Sequence, residues 1–141
     1  MFENDFSPSF ADFNFIAVLI AALATFILGG VWYSPLMFKN AWLDGCGLTD
    51  IDLQNAAMGK VFTIAFILSL LAAFIFALFL GPRPELGFAV GAGFAAGLGW
   101  VATSFGISYV FEQRPLKLFL VNAGYHTVQF TLMGLILGLW H

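Results

Sequence analysis

Asn122, His126 and Gln129 stand at i, i+4 and i+7 in "NAGYHTVQF", so on a helix they share one face, with Tyr125 and Met133 beside it. An imidazole titrates near neutrality, and between two amides inside an apolar run it has the chemistry of a proton relay or of a binding site for a polar solute. The same three side chains have a second use. Hydroxyls on neighbouring helices can pair with them as an interhelical network, each bond contributing roughly 0.6–2 kcal/mol. Thr103, Ser104 and Ser108 are the nearest candidates, with Thr25, Thr63 and Ser69 in the other apolar runs. Both readings stay open on the residues alone.

Other chemistries lack their parts. No carboxylate lies within an apolar run, so a relay has no acid partner and a serine nucleophile has no orienting acid. The two histidines, His126 and His141, are about 22 Å apart along one helix, too far to share a metal. The glycines from Gly91 to Gly99 sit inside an apolar run rather than after a strand, which excludes a phosphate loop. The residues therefore read as no enzyme, with no metal and no cofactor.

The elements that must position the trio follow from composition. Of 141 residues 61% are hydrophobic and 9% charged, against about 25% charged in soluble domains, which makes the bilayer the solvent and first partner. Charges cluster so that four uncharged runs remain, Phe15 to Tyr33, Val61 to Leu80, Leu86 to Val110 and Leu118 to Trp140. Each is near or above the ~20 residues that cross hydrocarbon. The expectation is one all-α polytopic membrane domain over 1–141, with four transmembrane helices at 15–33, 58–80, 86–110 and 117–140. Residues 1 to 13 are acidic and lack Lys and Arg, the wrong flank for a cleaved secretion signal.

Lys39, Lys60, Arg114 and Lys117 occupy the first and third loops, Arg83 alone the second, and the ends have no Lys or Arg. Basic residues are retained inside, so both termini are expected on the outer side of the cytoplasmic membrane. A net charge of −3 gives no stripe for nucleic acid. Cys46 is the one cysteine, an idle thiol without a partner in the chain.

Local signals complete the outline. Asp12 and Asn14 suit the N-terminal cap of the first helix, and Thr49 with Asp52 spells a capping box from which a helix should run unbroken into the second span. After Trp32 and Tyr33, Ser34 as cap and Pro35 at the first turn predict a short interfacial helix carrying Leu36, Met37, Phe38 and Trp42. "GPRPE" is a tight turn that makes the second and third spans antiparallel neighbours. The third span has two ridges of small residues, Gly87, Gly91, Ala95 and Gly99 on one, Ala89, Gly93 and Gly97 on the other. Small ridges admit close backbones, so this helix is either the central packing element or packs once within the chain and once against a second copy. "GVWYSP" and "GISYVF" share a glycine and a tyrosine at matching places, too little to mark a repeat.

"GGVWYSPLMFKNAW" and "FEQRPLKLFLVNAGYHTVQFTLMGLILGLW" together resemble a widespread bacterial family of small integral-membrane proteins classed as a domain of unknown function. The resemblance covers most of the chain and rests on Trp32, Tyr33, Ser34 and Pro35, on Phe38 and Trp42, on Arg114-Pro115, and on Asn122 to Tyr125 with Gly138 and Trp140. It implies a compact four-helix protein of the cytoplasmic membrane and no defined activity. The Trp-Tyr-Ser-Pro turn and the start of the last helix could meet on one side of the membrane, with Ser104 and Ser108 on the wall of a shared pocket. Two functions from different classes remain: a non-catalytic membrane protein, self-assembling or an accessory subunit of a larger complex, and a small oligomeric transporter or channel using the polar face of the last helix.

Overall fold

The computed structural model describes residues 13–140; the acidic lead-in, Asp12 included, and His141 lie outside them. The described chain is all-helical: α1 (Phe15–Trp32), α2 (Lys39–Cys46), α3 (Asp50–Gln54), α4 (Met58–Leu80), α5 (Leu86–Ala96), a π-helical stretch (Gly97–Ala102), α6 (Thr103–Glu112) and α7 (Leu116–Leu139). Three segments are long and apolar enough to cross a membrane: α1, α4, and the continuous Leu86–Glu112. At 24 residues α7 is long enough too, but its polar trio lowers its hydropathy and it stands outside that set.

Helix starts follow capping chemistry. Asn14 accepts from the Ala17 N–H at 3.0 Å. Thr49 and Asp52 complete a reciprocal capping box on α3. Glu85 takes the Gly87 and Phe88 N–H groups, both at 2.9 Å, at the start of α5. Two expectations fail here. Ser34 caps no helix: its Oγ donates to the Val31 carbonyl at 2.6 Å and accepts from the Leu36 N–H at 3.2 Å, but residues 33–38 form successive turns and α2 starts only at Lys39. Nor does α3 run on into α4, because Ala57 leaves the helical region with ψ 78° and a new helix begins at Met58.

α7 is the centre of the molecule, packed against α1, α2, α5, the π-helical stretch and α6. The two-ridge third span is thus not the hub; only its Ala89, Gly93 and Gly97 ridge is used. A Cβ on Gly93 would sit 2.1 Å from the Phe130 carbonyl oxygen, and one on Gly134 would sit 2.2 Å from that of Ala89, so both helices are stripped of side chains where they cross. The other ridge faces outward, with nothing within 4 Å of a Cβ on Gly91 or Gly99. Gly87, Gly91, Ala95 and Gly99 are all exposed.

The tight turn does not make α4 and α5 close neighbours. α4 leans on α1, through Phe26 edge-on to Phe62 and Phe66, and meets the π-helical stretch through Phe79 edge-on to Trp100 at 6.4 Å. Aromatic wedges hold the two helices apart where a small-residue crossing would have closed them.

Candidate functional site

The turn after α1 and the first half of α7 interlock by exchanging large side chains for glycines. Trp32 lies over Gly124, where a Cβ would be 3.0 Å from its Cζ2, and Tyr125 lies over Gly29, where a Cβ would be 3.2 Å from its Oη. The polar tips are then anchored to backbone. Trp32 Nε1 donates to the Val121 carbonyl at 2.9 Å, and Tyr125 Oη donates to the Thr25 carbonyl at 2.9 Å. A buried aromatic keeps its apolar area inside only if such a tip finds an acceptor.

Tyr33 continues the cluster, with its ring 5.5 Å from those of Trp42 and Tyr125, while Phe38 packs on Trp32 at 4.9 Å. α2 is thereby docked on α7 rather than lying free: Leu43 and Gly45 are buried, and a Cβ on Gly45 would be 2.9 Å from that of Leu118. Lys117 on α7 pairs with Asp44 at the same junction.

Asn122 sits at the middle, 9% exposed. Its Oδ1 accepts from Tyr33 Oη at 2.6 Å and its Nδ2 donates to Tyr109 Oη at 2.8 Å. One amide thus joins the end of α1 to α6 across α7. The two tyrosines are those of "GVWYSP" and "GISYVF".

The trio divides. Asn122 belongs to this clamp, whereas His126 and Gln129 pair with each other, Nδ1 to Oε1 at 2.6 Å, and His126 stacks on Phe105 with ring centroids 5.0 Å apart and planes 12° from parallel. Ser104 and Ser108 do not join them; both are exposed. The π-helical stretch is the reason. From Gly97 an ideal helix would bring residues 104 and 108 onto α7, but one extra residue in the turn rotates everything beyond it by about 100°. Ala102, Phe105 and Tyr109 therefore take the inward places. Thr103 Oγ1 stabilises the bulge by donating to the Gly99 and Trp100 carbonyls at 2.7 and 3.0 Å.

Phe105 and Tyr109 are thus the site residues that spacing alone missed, and the glycine-rich "GAGFAAGLGW" was the signal that the helix could deform. Among the described residues no side-chain nitrogen or oxygen is both shut in and unpartnered. No three His, Cys, Asp or Glu side chains converge among them either. What the geometry defines is an all-helical, membrane-associated protein whose helix ends are locked by an aromatic and amide clamp. The chain belongs to the family described as "Protein of unknown function (DUF1761)", whose model matches residues 16–138. No curated protein and no solved structure matches it.

Proposed function

We propose that the chain is a non-catalytic protein of the cytoplasmic membrane with four spans and both ends outside, which assembles with copies of itself through the outer ridge of α5. The observation that carries this is the contrast between two ridges on one helix. The inner one is filled by α7 to backbone contact, while Gly87, Gly91, Ala95 and Gly99 are all exposed and the space around Gly91 and Gly99 is open. In lipid, helices associate through such faces because close packing replaces the absent hydrophobic drive.

α7 as fourth span is supported by its length and by Asn122 and Gln129 being buried, which leaves lipid to meet mostly apolar side chains. Lys39, Lys60, Arg114 and Lys117 all lie toward the clamp end of the helices and Arg83 toward the other, which supports a cytoplasmic clamp. Native mass spectrometry of gently extracted protein tests the assembly. A homo-oligomer that Gly91→Leu and Gly99→Leu convert to monomers of unchanged helicity is expected. A monomeric wild type refutes self-assembly, and so does a complex containing only one copy with a different protein.

A further inference from the structure

The wedges between α4 and α5 leave an apolar groove of about 440 Å³, walled by Ile75 and Phe79 of α4, Ala92 and Ala96 of α5, Val101 of the π-helical stretch and Phe130 of α7. Within the apolar belt its filling must be hydrocarbon, but polar side chains stand just beyond one end. One helical turn beyond Val101 and Phe130 on their own helices stand Phe105 and His126, stacked on each other, which sets the His126–Gln129 pair one turn below the groove's walls.

That pair is half used. His126 Nδ1 and Gln129 Oε1 satisfy one another, and neither His126 Nε2 nor Gln129 Nε2 has a hydrogen bond among the described residues. Since no side-chain nitrogen or oxygen there is both shut in and unpartnered, the Gln129 amide nitrogen is not fully enclosed although the residue is only 5% exposed. Interchanging the amide oxygen and nitrogen, with the opposite imidazole tautomer, leaves the outward face the same: one donor and one acceptor. Such a face complements a group that both accepts and donates, which a hydroxyl does and an ester does not.

We propose that this groove binds a long single-chain amphiphile with an uncharged hydroxyl-bearing head, the chain along the alanine and aromatic walls and the O–H on His126 and Gln129. A long-chain alcohol and a protonated fatty acid share that head chemistry. The groove meets the outer ridge only at Ala95; Gly91 and Gly99, where self-assembly is tested, are not among its walls.

The test uses the full chain in lipid nanodiscs with three diazirine-bearing probes of one chain length, hexadecanol, hexadecanoic acid and methyl hexadecanoate, and maps the photolabelled residues by mass spectrometry. Labelling of the groove walls by the alcohol or the acid is expected to exceed that by the methyl ester about fivefold, what one net hydrogen bond supplies. The stronger of the two identifies the head. Gln129→Leu should abolish the preference, and Ala72→Phe, at a further α4 residue of the groove wall, narrows the groove without touching the polar pair and should abolish labelling of the walls. Equal labelling by the ester in the wild type, or labelling unchanged by Ala72→Phe, overturns the site. Ala72→Phe decides the matter even if Gln129→Leu does not fold.

Discussion

Replacing Tyr33 by Phe removes one hydroxyl and nothing else, and the structure gives that hydroxyl one partner, Asn122 Oδ1 at 2.6 Å. Interhelical hydrogen bonds in lipid contribute roughly 0.6–2 kcal/mol, so Tyr33→Phe should cost about 1 kcal/mol, and Tyr109→Phe, which removes the acceptor of Asn122 Nδ2, about the same. Asn122→Leu removes both bonds and also strands two phenols, which raises the loss to about 2–4 kcal/mol. The informative quantity is the coupling. With Leu at 122 neither tyrosine has its partner, so each Tyr→Phe change should then cost close to nothing or stabilise slightly by removing an unpaired hydroxyl. Reversible unfolding in mixed micelles, followed by far-ultraviolet circular dichroism, reads all the free energies of the cycle. If Tyr33→Phe costs as much in the Asn122→Leu background as in the wild type, the hydroxyl acts elsewhere and the clamp is wrongly drawn.

The two glycine ridges separate in the same assay. Gly93→Ala puts a methyl 2.1 Å from the fixed Phe130 carbonyl and should cost more than the ~1–3 kcal/mol of ordinary overpacking, while Gly91→Ala, with open space around it, should leave unfolding of the monomer unchanged. Two backbone N–H groups hold the exposed Glu85 carboxyl below the ordinary range, and with a folded pKa below the unfolded one its contribution is full above the unfolded value and lost as pH falls through the folded one. Stability of the wild type should therefore decline in acid more steeply than that of Glu85→Gln, measured as unfolding midpoints against pH. Lys117 and Asp44 are both largely exposed, so Lys117→Met should cost less than ~1 kcal/mol and lose even that in high salt.

Much of this fold is written in coarse features. Clustered charges, Pro35, Pro84 and Pro115 bracket the long helices, and the Asn14 and Thr49–Asp52 caps are local chemistry that needs no tertiary context. The meeting of the turn after α1 with Asn122 was legible for a similar reason, since both fall at one end of antiparallel helices. Which helix lies at the centre was not. Small residues report where backbones can approach, not whether anything does, and α5 uses one of its two ridges while α7, the most polar long helix, is the hub. Polarity was the better guide, because in lipid it is the polar face that must turn inward.

The π-helical stretch shows where periodicity ends as a guide to a site. Ser104 and Ser108 were candidates for the polar face because they lie at the depth of Asn122 and His126, and a count of 3.6 residues per turn from Gly97 would turn them toward α7 in an undistorted helix. One extra residue exchanges each serine for the aromatic next to it, Phe105 for Ser104 and Tyr109 for Ser108. The exchange changes the chemistry offered to α7. A serine hydroxyl would reach His126 as a small donor and saturate it. Phe105 instead covers one face of the imidazole, which leaves Nε2 without a partner among the described residues, and Tyr109 has the reach to meet Asn122 across the helix gap. A π turn forfeits regular bonding, and the Thr103 hydroxyl on two of its carbonyls offsets part of that loss. The deformation therefore accomplishes two things that a straight helix of this sequence could not: it completes the clamp through Tyr109, and it keeps the His126–Gln129 pair half satisfied at the foot of an apolar groove.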